Sequence, residues 1–258
     1  MTSIVSLRSV EPGISILTLN DPERLNAMSE EMAIQFRSAI RELQSDTSLK
    51  VLILEGAGRA FSAGGDLSML ERKTKASVSE NETAMIDFYK SFLSIIGLEV
   101  PVIAKLHGFA VGAGLCISLA CDLRVASKDT KFAFNFVKLG LHPGMGASYF
   151  VPKLLGDAKA RELLFTGRMF DAESALAWGL VQKLSSSDQI DNETIVLAKE
   201  ISENGPIAMR ALKRNLTAKD RAELLNALIL EAKAQAQDYA GEDFKGRLKN
   251  AQAKTKRN

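Results

Sequence analysis

The sequence predicts an α/β fold with largely parallel strands, followed by a helical C-terminal region. Short apolar runs alternate with helical patterns through most of the chain, which is the pattern of strands separated by helices. From Ala158 onward the pattern is helical, and Gly167, Gly179 and Gly205 separate the helices. The 258 residues are enough for one large domain, or for a core domain with a smaller appendage.

The elements of the first part follow from periodicity and from turn residues. Residues 14–19 form a predicted strand, and Ser29 is a predicted N-cap of a helix with apolar residues at helical spacing. Residues 51–54 are a continuous apolar run, which is typical of a strand buried on both faces. Residues 71–83 are polar, and we expect a mobile loop or a frayed helix there. The other predicted elements are a helix over 84–98, strands over 101–106, 122–126 and 131–136, and helices over 158–165, 172–178, 190–204, 206–216 and 221–240.

The change in pattern suggests two regions. We place the boundary near residues 195–205, so that residues 1–195 form the core and residues 196–258 a C-terminal helical region. The tail LKNAQAKTKRN is basic and polar, and we expect its end to fray.

Composition excludes several classes of function. The net charge is +2 and no basic run is interleaved with aromatic residues, so the sequence does not predict a nucleic-acid-binding protein. The two cysteines, Cys116 and Cys121, and the two histidines, His107 and His142, fit neither a disulfide framework nor a metal site. No apolar stretch has the length of a membrane span, and the first residues lack the apolar core of a signal peptide. We therefore expect a soluble cytoplasmic protein with reduced thiols.

Two glycine-rich turns are the candidate site. They are residues 61–67 (FSAGGDL) and 108–114 (GFAVGAG), and each follows a predicted strand and precedes helix-forming sequence. The first N–H groups of a helix have no intrahelical acceptor, and small residues let a ligand approach the backbone. Two such turns side by side can aim two N–H groups at one oxygen, as an oxyanion hole does. Taken singly, each segment is better explained by a tight turn and close packing than by a binding site.

The sequence gives little support to nucleophilic catalysis. Ser62 does not lie in a GxSxG turn, and a Ser-His-Asp triad would have to recruit His142 or His107. Cys116 lies in an apolar helical segment, where a small core residue is the better interpretation.

Four segments carry a resemblance to a known family. They are residues 20–28 (NDPERLNAM), residues 61–67, residues 101–126, and residues 165–168 together with 172–181 (FTGR and AESALAWGLV). Together they resemble the enoyl-CoA hydratase/isomerase family, also called the crotonase family, and the likeness runs from about residue 14 to residue 245.

The resemblance implies a fold, a substrate and an assembly. The fold would be a superhelical spiral of ββα turns, and its C-terminal helices would drive trimers, often paired into hexamers. The substrate would be an acyl-CoA thioester, with no separate cofactor and no membrane or nucleic-acid partner. The N–H groups of Gly65 and Ala113 would hold the thioester oxygen. The residues expected to contact the substrate are Arg24, Leu25, Ala27, Ala63, Gly64, Asp66, Leu67, Phe109, Gly112 and Phe136.

The chain departs from the family where hydratases carry two glutamates. Cys116 and Phe136 stand at those positions, and neither side chain does the acid–base work of a carboxylate. His142 is the remaining titratable group nearby, and a catalytic and a structural role for it are equally open. The sequence therefore predicts an isomerase or another enolate-forming enzyme rather than an efficient hydratase. The alternatives are a non-catalytic acyl-CoA-binding protein, or a thioesterase or decarboxylase on the same fold.

Overall fold

The computed structural model describes residues 3–218 and 221–255, and that part of the chain forms nine strands and eleven α-helices. The strands are β1 Val5–Glu11, β2 Ile14–Leu19, β3 Val51–Gly56, β4 Val102–Leu106, β5 Phe109–Val111, β6 Leu123–Ser127, β7 Lys131–Ala133, β8 Met169–Asp171 and β9 Lys183–Ser185. The helices are α1 Glu30–Ser45, α2 Leu67–Lys73, α3 Val78–Phe92, α4 Ala113–Leu119, α5 Ala147–Leu155, α6 Asp157–Thr166, α7 Ala172–Ala177, α8 Ile190–Ser202, α9 Pro206–Ala218, α10 Arg221–Ala240 and α11 Glu242–Thr255. Three 3₁₀ turns lie at Pro22–Arg24, Leu93–Gly97 and Asn135–Leu139.

The strands form two sheets. The larger has the order β1-β2-β3-β4-β6-β9, in which only β1 is antiparallel to its neighbour. The smaller has the order β5-β7-β8, with β5 and β7 parallel. The predicted parallel α/β arrangement is confirmed, and β1 is a strand that periodicity did not predict.

Successive turns of the chain repeat one pattern. The chain runs along a strand of the large sheet, then through a short extended stretch of the small sheet, and then into a helix, as in β4-β5-α4. Isolated parallel bridges join Met28 to Gly65 and Ser62 to Ala110, so the earlier turns are linked in the same direction as β5 and β7. This stacking brings the chain segments that follow the large-sheet strands side by side.

The large sheet is buried on both faces. Leu52 and Leu54 of β3 face the main core, whereas Val51 and Ile53 face a second cluster that α8 covers through Ile190 and Ala198. Such two-sided burial explains why β3 is a continuous apolar run. The predicted boundary at residue 195 lies inside α8, and the division into two regions stays a prediction.

The last two helices fold back over the first half of the same chain. Helix α10 packs against α3, and α11 packs against α2 and the 3₁₀ turn Asn135–Leu139. Phe244 and Leu248 of α11 are buried in this contact. The basic tail is helical as far as Thr255, and its last three residues, at the end that we expect to fray, lie outside the described ones.

The prediction of a loop or frayed helix over residues 71–83 is wrong. That stretch holds the end of α2 and the start of α3, and a capping box begins α3. The Ser77 hydroxyl accepts the N–H of Glu80 at 3.3 Å, and the Glu80 carboxylate accepts the N–H of Ser77 at 2.8 Å. These bonds satisfy N–H groups that a polar helix start leaves open, so the helix begins before the apolar pattern does.

Two other boundaries differ from the predictions. The strand expected over residues 131–136 ends at Ala133, so Phe136 lies in a 3₁₀ turn. The helix expected over residues 84–98 ends at Phe92 and continues as the 3₁₀ turn Leu93–Gly97. Throughout residues 3–218 and 221–255, no helix is both long and apolar enough to cross a bilayer.

Candidate functional site

The first glycine turn is fixed by the segment before α1. The N–H of Ala63 donates to the carbonyl of Leu25 at 2.9 Å, and the N–H of Met28 donates to the carbonyl of Gly64 at 2.7 Å. Gly64 has a φ of +92°, a left-handed conformation that a side chain strains. The N–H of Gly65 has no acceptor within the described chain. The turn therefore presents the unpaired N–H of Gly65 between the N–H groups of Gly64 and Asp66, which both have acceptors.

The second glycine turn leads into α4. The N–H of Gly112 donates to the carbonyl of Ala133 at 2.8 Å, and Gly112 has a φ of +54°. Ala113 is the first residue of α4, so its N–H has no intrahelical acceptor, and no other described group accepts it. The helix dipole adds partial positive charge at this end.

The two turns pack directly against each other. A Cβ placed on Gly64 would lie 2.8 Å from the carbonyl oxygen of Val111 and 3.6 Å from the nitrogen of Ala113. A Cβ placed on Gly114 would lie 2.5 Å from the Cβ of Ser62. The unpaired N–H groups of Gly65 and Ala113 thus stand on neighbouring backbone turns, an arrangement that can bind one anionic oxygen.

Residues 21–27 form a left-handed turn beside the first glycine turn. Leu25 and Asn26 both have a φ of 53°. The buried Asn26 side chain donates to the carbonyls of Ala57 and Ala60, both at 2.8 Å, and accepts the N–H of Asp21 at 2.8 Å. Sequence reasoning missed Asn26, although asparagine is one of the few residues that enter this conformation readily.

The guanidinium of Arg24 is held by two carboxylates. It lies 2.6 Å from Asp21 and 3.3 Å from Asp66, and the hydrogen bond with Asp21 raises the pKa of Arg24. Asp66 also caps α2 by accepting the N–H of Met69 at 2.7 Å. The Arg24 side chain is about half exposed, so one face of it stays open to solvent.

The other residues that we expect to contact the substrate differ in their solvent exposure. Ala27 and Phe136 are buried, and Leu67 starts α2 directly after Asp66. Phe109 on β5 is 42% exposed. The structure therefore brings together Arg24, Leu25, Ala27, Ala63, Gly64, Gly65, Asp66, Leu67, Gly112 and Ala113 around the two turns.

The Cys116 side chain on α4 is fully buried. Its exposure is 0%, and burial together with the nearby Glu231 carboxylate raises the pKa of its thiol well above the ordinary value. Burial likewise raises the pKa of the Cys121 thiol to about 12. Both thiols therefore stay protonated at neutral pH and are poor nucleophiles.

His142 lies apart from the two glycine turns. It lines a groove of about 520 Å³, together with residues of segments 137–148, 164–165 and 234–238, and no residue of either glycine turn lines that groove. Its N–H donates to Asp238 at 2.6 Å, and its Nδ1 lies 2.6 Å from the carbonyl oxygen of Pro143. The Nε2 atom has no hydrogen-bond partner among the described residues and is the ring nitrogen available for proton transfer.

A buried carboxylate on α10 is a further feature that sequence reasoning missed. Glu231 is 0% exposed and bonds to the start of α5, more than eighty positions away along the chain. No local sequence motif predicts a contact between residues that are so far apart along the chain. In the described part of the chain, no three His, Cys, Asp or Glu side chains are grouped as metal ligands.

The chain matches a known family over nearly its whole length. The model of the enoyl-CoA hydratase/isomerase family matches residues 9–257. A putative enoyl-CoA hydratase of Thermus thermophilus is 34% identical over 228 residues, which are 88% of this chain and 90% of that protein. The short-chain-enoyl-CoA hydratase of Clostridium acetobutylicum is 32% identical over 236 residues, which are 91% of this chain and 89% of that protein.

Solved structures agree with this match. The enoyl-CoA hydratase of Bacillus halodurans superimposes with a TM-score of 0.87 at 30% identity, over 96% of this chain and 100% of that one. An enoyl-CoA hydratase/isomerase of Mycobacterium paratuberculosis superimposes with a TM-score of 0.88 at 27% identity, over 97% and 99%. The predicted crotonase-like spiral with a C-terminal helical region is confirmed, and the chain belongs to the enoyl-CoA hydratase/isomerase family of acyl-CoA enzymes.

Proposed function

We propose that the N–H groups of Gly65 and Ala113 bind the thioester oxygen of an acyl-CoA and stabilise the enolate that forms from it. The observation that carries the proposal is that both donors lack an acceptor while their turns are in contact. Charge develops on this oxygen in the transition state, so fixed donors there lower the barrier without needing to reorganise. The Arg24 segment, from Arg24 to Ala27, would line the path of the CoA moiety, with the open face of Arg24 toward a phosphate.

The reaction that fits best is double-bond isomerisation or another one-base reaction. Cys116 and Phe136 stand where the family's hydratases carry glutamates, and a buried protonated thiol and a phenyl ring activate no water. In isomerisation a base takes a proton from one carbon, the enolate forms, and the proton returns to another carbon. His142 Nε2 would carry that proton, which requires the acyl chain to extend from the two turns to the groove that His142 lines.

Substitution of Ala113 by proline tests the oxyanion site. Proline is tolerated at the first position of a helix, and its ring would replace the N–H and fill its space. We expect kcat with an active acyl-CoA to fall about 10²–10³-fold while the helical signal in circular dichroism is kept. Val78→Pro is the matched control, because Val78 is the exposed first residue of α3. Equal turnover by Ala113→Pro and the unmodified protein would refute the site.

A panel of acyl-CoA thioesters separates the reactions. We expect isomerisation of a 3-enoyl-CoA and only slow hydration of crotonyl-CoA. Hydration at about 10 per second or faster would contradict the need for two carboxylates. Binding without any product would favour a non-catalytic acyl-CoA-binding protein, and release of free CoA or CO₂ would favour a thioesterase or decarboxylase.

Substitution of His142 by alanine tests the base. We expect kcat to fall about 10²–10⁴-fold, as is usual when a general base is lost. His107→Ala is the control, because the His107 ring bonds to the carbonyl of Gly58 at 2.9 Å, away from the groove. Undiminished turnover by His142→Ala would remove His142 from the mechanism.

We further propose a homotrimer, or a dimer of trimers, in the cytoplasm. Apolar side chains are exposed on the C-terminal helices, among them Leu212 and Leu216 of α9 and Leu230 of α10. The two buried free cysteines, Cys116 and Cys121, suit a reducing compartment.

A further inference from the structure

One face of helix α10 carries three polar side chains that contact the segment bearing His142. They are Glu231, Gln235 and Asp238, which are spaced four and three residues apart and therefore lie along one side of the helix. All of them bond to residues 142–148, called here the His142 loop.

Glu231 holds the end of this loop. Its Oε2 accepts the N–H of Gly146 at 2.7 Å, and its Oε1 accepts the N–H of Ser148 at 2.8 Å and the Ser148 hydroxyl at 2.6 Å. No lysine or arginine pairs with Glu231 among the described residues. The carboxylate instead accepts N–H groups at the start of α5, which have no intrahelical acceptor and commonly bind anions.

Gln235 and Asp238 hold the beginning of the loop. The Gln235 amide donates to the carbonyl of His142 at 2.7 Å, and Asp238 accepts the N–H of His142 at 2.6 Å. The Gln235 carbonyl oxygen accepts the hydroxyls of Tyr89, at 2.7 Å, and Tyr239, at 3.0 Å. These hydroxyls fix the orientation of the amide, so its N–H points at His142 and not away from it.

The backbone between these anchors is strained. Met145 has a φ of 61°, a conformation that residues other than glycine, asparagine and aspartate rarely adopt, and it is 1% exposed. Such a conformation persists only where the surroundings determine it. Here both ends of the loop are bonded to α10.

We infer that Gln235 and Glu231 are positioning residues, which hold the His142 loop in the conformation that catalysis requires. The inference rests on the proposed function of His142 and goes beyond it, because it gives helix α10 a role in catalysis. Glu231 is buried away from water, and burial raises its pKa, although its bonds to Ser148 and Gly146 favour the ionised form. The side chains of α10 act through the loop, without touching the reacting atoms.

The test compares Glu231→Gln and Gln235→Met with Leu228→Ala. Glu231→Gln is nearly isosteric, but its amide places an N–H donor opposite the N–H group of Gly146 or of Ser148, where a carboxylate oxygen now accepts. The second keeps the size and removes both the donor to His142 and the acceptor for the tyrosines. Leu228 is a buried apolar residue one turn before Glu231 on α10, so its truncation loosens the helix without removing a bond to the loop.

Two readouts are needed. Amide hydrogen exchange at Gly146 and Ser148 is measured on the free protein, and we expect it to rise about tenfold in Glu231→Gln and to stay near the unmodified rate in Leu228→Ala. Steady-state kinetics on the active thioester should show kcat lowered about tenfold or more in both Glu231→Gln and Gln235→Met. KM should change less than about threefold, because CoA binding lies elsewhere.

The outcomes separate the inference from the proposed function. Unchanged exchange at Gly146 and Ser148 in Glu231→Gln overturns the inference, whatever the activity. Faster exchange with unchanged kcat also overturns it, as does an equal loss of kcat in Leu228→Ala. An unmodified protein that turns over no thioester overturns the proposed function, and with it the catalytic part of the inference. Selective loss of kcat with faster exchange supports both.

Discussion

Single glycines decide how closely the two turns of the candidate site approach each other. At Gly64 both the positive φ and the nearby Val111 carbonyl exclude a side chain. At Gly114 the limit is steric alone, because Ser62 occupies the place of a Cβ. The positions of the Gly65 and Ala113 donors therefore depend on residues whose own N–H groups have no part in binding.

We expect Gly64→Ala to lower kcat strongly while the protein still folds. The left-handed conformation costs a side chain about 1–2 kcal/mol, and the Cβ would push the Val111 carbonyl away. A shift of about 1 Å at the donors is enough to lower kcat about 100-fold. Steady-state turnover and a thermal melt check this.

Gly205→Ala serves as the control for Gly64→Ala. A Cβ on Gly205 would meet no atom of the described residues within 4 Å, and its φ is not in the left-handed region. We expect both kcat and the melting temperature to stay near those of the unmodified protein. Full activity in Gly64→Ala would show that the spacing of the two turns has no catalytic consequence.

Residue types alone predict the glycine turns but not the ion pairs that Arg24 forms. Glycine and alanine next to a strand end carry a local signal, because their conformational freedom is intrinsic. Asp21 is three positions from Arg24, but its second partner, Asp66, is more than forty positions away. A pattern that is read locally cannot supply that contact.

Helix ends show what a local pattern can reveal about whole elements. The capping box at Ser77 and Glu80 follows the S-x-x-E spacing and was available in the sequence. Hydrophobic periodicity does not predict this helix start, because the first turn of α3 lacks an apolar stripe. The strand predicted over residues 131–136 ends early for a different reason, since the last residues of that range lie in a 3₁₀ turn packed against α11.

An ion pair joins the start of α1 to the end of α2. The Glu30 carboxylate lies 2.9 Å from Lys73 and 3.0 Å from Arg72, and the Lys73 side chain is buried. The charges also complement the helix dipoles, with the anion at an N-terminus and the cations at a C-terminus. Because α2 begins beside Asp66, this pair stabilises the helix that follows the first glycine turn.

We expect Glu30→Gln to lower the free energy of unfolding by about 1 kcal/mol at pH 7, since about half of the carboxylate is exposed. The hydrogen bond with Lys73 lowers the pKa of Glu30. Its stabilisation is therefore present above the unfolded-state pKa, about 4.5, and is lost as the pH falls through the folded-state pKa. Urea unfolding at pH 7 and at pH 3 should show the difference shrinking.

Glu42→Gln provides the same change of charge on the same helix. Glu42 is exposed and has no ion pair in the part of the chain that the structure describes. Its substitution should leave the free energy of unfolding nearly unchanged at both pH values. A Glu30→Gln effect that is equal at pH 7 and pH 3 would show that packing, and not charge, joins α1 to α2.

At the scale of the whole molecule, periodicity predicts the strands and helices of the α/β core, but not how the last helices pack over the first half of the chain. The alternation of strands and helices is enough to predict parallel pairing, because short crossovers leave few other arrangements. The return of α10 and α11 over α2 and α3 has no such signature. The polar bonds of Glu231 and Gln235 depend on that return, so this part of the candidate site was not predictable.

The surface of the C-terminal helices bears on assembly. Leu212 and Leu216 lie one turn apart on α9 and are 52% and 66% exposed, and Leu225 and Ile229 of α10 are also exposed. Scattered apolar residues on a surface need no explanation, but contiguous exposed apolar patches mark interaction surfaces. This face is separate from the polar face of α10 that holds the His142 loop.

We expect the protein in solution to have three or six times the 28.0 kDa mass of one chain, as light scattering after gel filtration would measure. The double variant Leu212→Asp and Leu216→Asp should shift it toward the monomer, because a carboxylate in an apolar interface loses its hydration without gaining a partner. Ile34→Asp is the control, since Ile34 is 71% exposed on α1, outside the C-terminal helices. A monomeric unmodified protein would contradict the proposed trimer. An assembly that Ile34→Asp disrupts, but the double variant does not, would place the interface elsewhere on the molecule.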